Sequence, residues 1–360
     1  MCRSKIYNAI ETYVYTPPEV SEDAYSAYLA DRHPVLGWPT ANTLKKNADE
    51  RGARLSPANE TFSYVASCVD VYGDSFAFGA EATDEQAWAN VLAKQLGCRV
   101  DNYGVGGYGV GQALLRFEQN INKRPPANTV ILTLYPDNLV RNINQWRYLL
   151  TRNPLAFKLA FYVDGETMKL APLFDGDHDA FLEVTADPAM HLPAETYLPG
   201  APSFRAPVKA DFPYALTIAS LALKLIEGFR VYDGDVRSNY YNHLSYYDTA
   251  DGPSDEKKQV ARYIISRFAE KCSDLSSRCV VVIMPDPELL YQQEVAGAHD
   301  LAWLKPDDER LTYLDGTEVF ENVEDICSHV TKPTGCSGHF NPDGYTRMAA
   351  FIGDALKKAD

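Results

Sequence analysis

Between residues 64 and 75 the chain reads Tyr64-Val65-Ala66-Ser67-Cys68-Val69-Asp70-Val71-Tyr72-Gly73-Asp74-Ser75. Residues 64–72 are rich in β-branched and aromatic side chains, which is typical of a short buried strand. The strand pattern ends at Gly73, and Ser75 follows just past its carboxyl end. Because open α/β sheets bind ligands at that edge, the stretch predicts both a central strand and the location of a site.

Helix and strand patterns alternate on either side of the middle of the chain. The helix patterns lie at 83–96, 112–122, 255–271 and 342–357. The further strand patterns lie at 99–103, 129–134 and 279–284. Alternation at this spacing predicts an α/β fold in which helices cover both faces of a parallel sheet.

Two regions lack this alternation. Residues 1–60 are polar and interrupted by prolines, and they predict an irregular N-terminal arm ahead of one domain at 61–360. Within that domain an insertion is expected at about 150–250. It contains an apolar helix pattern at 213–229, and Asp164-Gly165 between two short β-type runs predicts a hairpin over 159–170.

Composition excludes several classes of protein. The 360 residues include 49 acidic and 34 basic side chains, which gives a formal charge of −15. That charge repels phosphates, so no nucleic-acid partner is expected. No apolar run reaches the ~20 residues of a membrane span, so none is expected. The 23 tyrosines suit contact with sugars, although half-buried packing explains them as well.

Signals for the compartment disagree. The start, from Met1 to Lys5, lacks the apolar stretch of a signal peptide, and read literally this indicates the cytoplasm. However, Cys272/Cys279 and Cys327/Cys336 are short-range pairs in loop-like sequence, as in disulfide-bonded exported proteins. Buried free thiols are the alternative, and removal of a leader before this numbering would reconcile the signals. The compartment therefore stays open.

Two further segments place polar groups at predicted strand ends. Five glycines within 104–111 expose backbone N–H groups, and the loop has no P-loop ending, so an oxyanion suits it better than a nucleotide. A flexible turn is the alternative. The segment Leu134-Tyr135-Pro136-Asp137-Asn138 places a carboxylate and an amide after another strand, where an Asx turn is the alternative.

One histidine stands at the entrance of the closing helix. The segment reads Gly338-His339-Phe340-Asn341-Pro342, with the proline at a favourable first-turn position. From there an imidazole can reach an adjacent strand end. The other six histidines lack such a context, and no pair has the spacing of zinc ligands, so neither a metal nor a cofactor is expected.

In type and order, these four segments resemble the blocks of the SGNH or GDSL-like hydrolase superfamily. The resemblance covers about 69–142 and 333–351 and implies a three-layer α/β/α, flavodoxin-like fold with an inserted region. It implies that Ser75 is the nucleophile and His339 its base. It also implies an oxyanion hole formed by the N–H groups of Ser75 and Gly107 and the side chain of Asn138. The neighbouring carboxylates, Asp74 and Asp137, are candidates for a supporting role.

Two positions depart from the family's pattern. The third block usually reads Asn-Asp, whereas here Asp137 precedes Asn138. The acid of the triad normally stands two or three residues before the histidine, and no carboxylate does so here. The sequence therefore predicts a Ser-His dyad with a backbone carbonyl on the ring, or a distant acid such as Asp325 or Asp343.

The substrate expectation comes from resemblance as well. Two segments resemble SGNH proteins associated with bacterial surface polysaccharides. They are His33-Pro34-Val35-Leu36-Gly37-Trp38 and Arg141-Asn142-Ile143-Asn144. We therefore expect a serine esterase acting on an acyl ester, acetyl first, carried by a small molecule or a carbohydrate. The alternatives are an O-acetyltransferase on polysaccharide, a non-catalytic carbohydrate-binding protein, and a phosphate- or nucleotide-binding module. The oligomeric state has no sequence signal.

Overall fold

The computed structural model describes residues 13–62, 66–192, 194–201, 203, 205–210, 214–230, 254–287, 290, 304–305, 307–334 and 336–358. Within 214–230, side chains are described up to residue 223. Contacts divide them into two compact units. The first comprises residues up to 43 and the described part of 143–254. The second comprises residues 44–142 and the described part of 255–358.

Nine strands run through the described residues. They are β1 (Val69–Tyr72), β2 (Val100–Asn102), β3 (Thr129–Leu134), β4 (Ala160–Asp164), β5 (Thr167–Ala171), β6 (Arg278–Ile283), β7 (Leu311–Asp315), β8 (Val330–Lys332) and β9 (Ser337–Phe340). In the second unit, five of them form a parallel sheet in the order β2-β1-β3-β6-β7. This is the flavodoxin-like strand order, so the predicted fold class is confirmed.

The described residues of the two units also form α-helices. They are α1 (Glu22–Asp31), α2 (Ala41–Lys45), α3 (Pro57–Glu60), α4 (Ser75–Phe78), α5 (Trp88–Leu96), α6 (Val110–Ile121), α7 (Asn138–Asn142), α8 (Tyr148–Thr151), α9 (His178–Ala186), α10 (Pro188–His191), α11 (Ala215–Arg230), α12 (Asp255–Asp274) and α13 (Pro342–Lys357).

Helices cover both faces of the sheet, as three layers require. Successive strand residues point to opposite faces, so Val71 and Tyr72 of β1 contact different helices. Val71 belongs to the apolar cluster that contains Trp88 of α5 and Met348 of α13. On the other face, the Tyr72 ring lies 5.4 Å from that of Phe117 in α6. Phe117 in turn contacts α12.

The helix predicted at 83–96 begins later, at Trp88. The buried guanidinium of Arg54 donates to the carbonyl of Ala82 at 2.8 Å and to the carboxylate of Asp84 at 3.1 Å. Because these bonds hold the backbone and side chain ahead of the helix, residues 83–86 form a turn instead.

In the first unit, part of the predicted irregular arm is helical. Ser21 caps α1 by accepting a hydrogen bond from the N–H of Ala24, and Tyr25 and Tyr28 are buried beneath that helix. The expected hairpin is present as the antiparallel pair β4 and β5. The rings of Trp146 and Phe157 stack with centroids 5.3 Å apart in the core of this unit.

Three disulfides join cysteines of the second unit. Cys272–Cys279 and Cys327–Cys336 are the two pairs that the sequence singles out. Cys68–Cys98 is a third, which links the residues that precede β1 and β2. Proteins keep such bonds mainly in oxidising compartments. Within the ranges given above, no helix combines the length and the apolar character of a membrane span.

Candidate active site

Ser75 is the first residue of α4 and follows the carboxyl end of β1, which lies between β2 and β3 in the sheet. The side chain of Asp74 caps the helix by accepting a hydrogen bond from the N–H of Phe76 at 2.9 Å. Asp74 and Phe76 are buried, whereas Ser75 between them is only half-buried. The turn thus presents one hydroxyl at the edge of the sheet.

Three buried side chains hold the carbonyl end of α4. The indole N–H of Trp88 donates to two carbonyls of this helix, at 2.9 and 3.1 Å. The amide of Asn102 donates to the carbonyl of Ala77 at 2.8 Å, and Arg54 donates to that of Gly79 at 2.6 Å. Because side chains satisfy the last carbonyls, a helix of four residues has a fixed orientation.

Gly73 leaves no room for a side chain. A Cβ at this position would lie 1.9 Å from Oγ1 of Thr133 and 2.6 Å from Cβ of Ala77. We expect Gly73→Ala to lower the free energy of unfolding by about 1–3 kcal/mol, as overpacked cores do. Thermal denaturation measures this. Gly106→Ala is the control, because its Cβ would meet Ser75 at an ordinary 3.9 Å. Equal melting temperatures for the two variants would contradict this prediction.

The glycine loop lies beside the serine. A Cβ on Gly106 would lie 3.9 Å from Cβ of Ser75, and Gly107 has a left-handed φ of +79°. Gly104 allows the loop to approach α4, since a Cβ there would lie 2.4 Å from the N atom of Phe78. The structure therefore brings the Gly106–Gly107 segment next to the predicted nucleophile.

His339 lies in β9, and its ring contacts the residue that follows the serine. The ring centroids of His339 and Phe76 are 4.8 Å apart. The imidazole also lies close enough to Asp74 to interact with its charge. In the described part of the chain, no hydrogen bond joins Ser75 to His339, and such bonds are often long in enzymes without substrate. The fold therefore brings these two distant segments together.

Asn138 and Asp74 form a buried pair. Nδ2 of Asn138 donates to Oδ2 of Asp74 at 3.0 Å and to the carbonyl of Tyr108 at 3.2 Å. Asn138 is fully buried, and these bonds use both hydrogens of its amide. The oxyanion role predicted for Asn138 therefore requires this side chain to release one of its partners.

Arg141 connects the two predicted supporting carboxylates. It forms an ion pair with Asp137 and lies 3.4 Å from Oδ2 of Asp74. Burial raises the pKa of Asp74, and the Arg141 charge and the Asn138 amide oppose that effect. Through Arg141, the two carboxylates hold the segment of Asn138 against the segment of Ser75. Within the described residues, neither carboxylate is hydrogen-bonded to His339.

A carboxylate that the sequence does not predict lies beside Nδ1 of the His339 ring. Oε1 of Glu81 is 3.6 Å from Nδ1 of His339. The two distant acids considered above have other partners. Asp343 pairs with Nδ1 of His329 at 2.6 Å, and Asp325 accepts from the N–H of residue 327 at 3.0 Å. Glu81 carries no sequence signal, because it follows the serine rather than preceding the histidine.

Comparisons with known proteins give similarity at the level of structure. No protein-family model matches the sequence, and no curated protein does. One similar solved structure is a candidate lipolytic protein of the G-D-S-L family from Desulfitobacterium hafniense DCB-2, at 11% identity over 81% of this chain and 100% of that chain, with a TM-score of 0.36. Another is an acetyl xylan esterase from the rumen bacterium Butyrivibrio proteoclasticus, at 11% identity over 81% of this chain and 63% of that chain, with a TM-score of 0.33. At these TM-scores the chemistry of the site rests on the chain's own residues.

Proposed function

We propose that this chain is a serine esterase of SGNH or GDSL type, with Ser75 as nucleophile and His339 as general base. One observation carries the proposal: the His339 ring lies against Phe76, the residue after a serine that begins a helix at the carboxyl end of β1. In the sequence of the α/β unit, Ser75 lies near the beginning and His339 lies near the end. The contact of His339 with Phe76 places the imidazole beside the residue that carries the hydroxyl, and an imidazole activates a hydroxyl by taking its proton.

In the proposed reaction, Oγ of Ser75 bonds to the ester carbonyl carbon while its proton passes to Nε2 of His339. The carbonyl electron pair moves onto the oxygen and forms an oxyanion. When this intermediate collapses, the alcohol leaves with the proton from His339, and the acyl group stays on Ser75. Water, activated by the same imidazole, then releases the acid and restores the serine.

Backbone N–H groups are the proposed oxyanion donors. The N–H of Ser75 lies in the first turn of α4, whose N–H groups have no partner within the helix. Gly107 belongs to the loop that runs beside Ser75. Asn138 stays a predicted third donor, which would exchange its bond to Tyr108 for the oxyanion. Each such donor typically contributes a factor of about 10²–10³ to the rate.

The proposed substrate is an acetyl ester on a carbohydrate. The support is the resemblance of 33–38 and 141–144 to polysaccharide-associated proteins. The three disulfides support a site of action outside the cytoplasm. Acetate release from an O-acetylated polysaccharide tests the substrate class. Loss of acetyl groups from the donor without free acetate, with their appearance on an added acceptor oligosaccharide, would instead favour acetyl transfer.

An acyl-enzyme burst tests the proposed chemistry. Wild-type protein mixed with p-nitrophenyl acetate should release p-nitrophenol in a burst of about one equivalent, because acylation of Ser75 precedes slower hydrolysis. Mass spectrometry of the quenched sample should find acetyl on the peptide that contains Ser75. The absence of both signals would contradict the esterase and favour a non-catalytic binding protein.

A further inference from the structure

We infer that Glu81 is the positioning acid of this site, holding Nδ1 of His339 so that Nε2 faces Ser75. The inference rests on the proposed esterase function and deepens it. The position is unlike the acid of the family's pattern, which would precede the histidine by two or three residues. Here the acid lies in the turn that follows the nucleophile.

The geometry of the ring gives the first argument. Nδ1 of His339 is buried, and within the described residues it has no hydrogen-bond partner. Oε1 of Glu81 stands 3.6 Å away, which is longer than a hydrogen bond. A small movement of a side chain that is 42% exposed closes the gap. The ring thus has a carboxylate where an orienting group belongs.

Thr331 fixes the second oxygen of the carboxylate. Its hydroxyl donates to Oε2 of Glu81. Thr331 lies in β8, which pairs with β9, the strand that carries His339. The same two-stranded sheet therefore holds the base and the acid, so the two side chains are ordered together.

Gly338 makes room for this arrangement. Its φ of +90° lies in a region that side chains rarely adopt. A Cβ on Gly338 would lie 2.4 Å from Oγ1 of Thr331 and 3.6 Å from Oε2 of Glu81. A side chain at position 338 would therefore collide with the Thr331 hydroxyl, which donates the hydrogen bond to Glu81.

The backbone of Glu81 is held in an uncommon conformation. Its φ is +64°, a left-handed value that is unfavourable for residues other than glycine. Both neighbours are fixed: the hydroxyl of Tyr345 donates to the carbonyl of Ala80 at 3.1 Å, and Arg54 donates to that of Ala82 at 2.8 Å. Conformations of this kind persist where the surroundings enforce them, often at functional sites.

Charge gives a supporting argument. The hydrogen bond from Thr331 lowers the pKa of Glu81, and the nearby imidazole lowers it further, while partial burial opposes both effects. Glu81 is therefore a carboxylate at neutral pH. A carboxylate at Nδ1 stabilises the imidazolium that forms when Ser75 loses its proton. Among the described residues, Asp74 also interacts with His339, but it is already bound by Asn138 and the N–H of Phe76.

A tautomer measurement tests the inference without relying on activity. In an S75A background, ¹⁵N NMR of the neutral imidazole of His339 should find the proton on Nδ1. Glu81→Ala removes the acceptor and should move a large fraction of the population to the Nε2–H form. Glu81→Gln keeps an oxygen acceptor and should retain Nδ1–H. An unchanged tautomer in Glu81→Ala would overturn the inference.

Kinetics of the chain with Ser75 in place gives the second readout. We expect Glu81→Ala to lower kcat by on the order of 10²–10⁴ with little change in KM, as loss of an orienting acid does. Glu81→Gln should lose less, and the acidic limb of its kcat/KM profile should move to lower pH because the negative charge is gone. Glu85→Gln, in the same segment and exposed, is the matched control and should equal the wild type.

The outcomes separate this inference from the proposed function. A wild-type burst on Ser75 with full kcat and an unchanged pH profile in Glu81→Ala would leave the esterase in place and overturn the role of Glu81. A wild type with no burst, no acetyl group on the Ser75 peptide and no turnover of the ester would contradict the esterase, while the tautomer measurement would still report whether Glu81 orients the ring. Melting temperatures of all variants identify any loss through misfolding.

Discussion

Ser75→Ala should abolish turnover of p-nitrophenyl acetate, with kcat falling by on the order of 10⁵–10⁶ toward the uncatalysed rate. The variant keeps the helix and its Asp74 cap, since the capping bond goes to the N–H of Phe76 rather than to the hydroxyl. The reaction therefore loses its nucleophile while the fold stays intact. Steady-state kinetics and labelling by a fluorophosphonate probe measure the loss.

Ser273→Ala is a matched control for this substitution. Ser273 lies exposed on α12, in the same unit of the chain, and the variant should retain both turnover and labelling. Ester turnover in Ser75→Ala equal to that of the wild type would refute the assignment of the nucleophile. Labelling that persists in this variant would show that the probe reacts elsewhere.

His339→Ala should lower kcat/KM by on the order of 10⁴–10⁶, because the serine then has no general base. The side chain is 24% exposed, so its removal opens a space that solvent can reach. Added imidazole should therefore restore part of the activity, in proportion to its unprotonated fraction. Stopped-flow kinetics at several imidazole concentrations measures the rescue.

His191→Ala is the control for the histidine. His191 is exposed at the end of α10, and its loss should leave kcat/KM unchanged. Turnover by His339→Ala within a few-fold of the wild type would contradict the role of this imidazole. A variant that binds substrate normally yet gives no rescue would point to a different base.

The sequence predicts the inner part of the fold well. The strand at 129–134 and the helix at 342–357 begin and end where the structure has β3 and α13. Both are strongly apolar on their buried sides, and their ends carry turn or cap residues. The strand β7 was not predicted, because all its residues are half-buried and it lacks the alternation of a one-sided strand.

The sequence predicts a site residue only where a reactive side chain stands at the end of a clear strand or helix pattern. The segments of Ser75 and His339 stand out because each combines a reactive side chain with a strand end or helix entrance. Glu81 does not, because its proposed role depends on a positive φ and on a hydroxyl from the distant strand β8. The Cys68–Cys98 disulfide escapes prediction for a similar reason, since 30 positions separate cysteines that only the pairing of β1 with β2 brings together.

The placement of Glu81 in the turn after Ser75 has a consequence for folding. With the proposed acid and nucleophile on one short segment, the packing of β8, β9 and α13 against the α4 turn brings the proposed base to both of them at once. Distant contacts of this kind form late, because chain entropy opposes them until the rest is in place. On the proposed assignments, the base therefore reaches the serine only after β8, β9 and α13 have packed against the α4 turn.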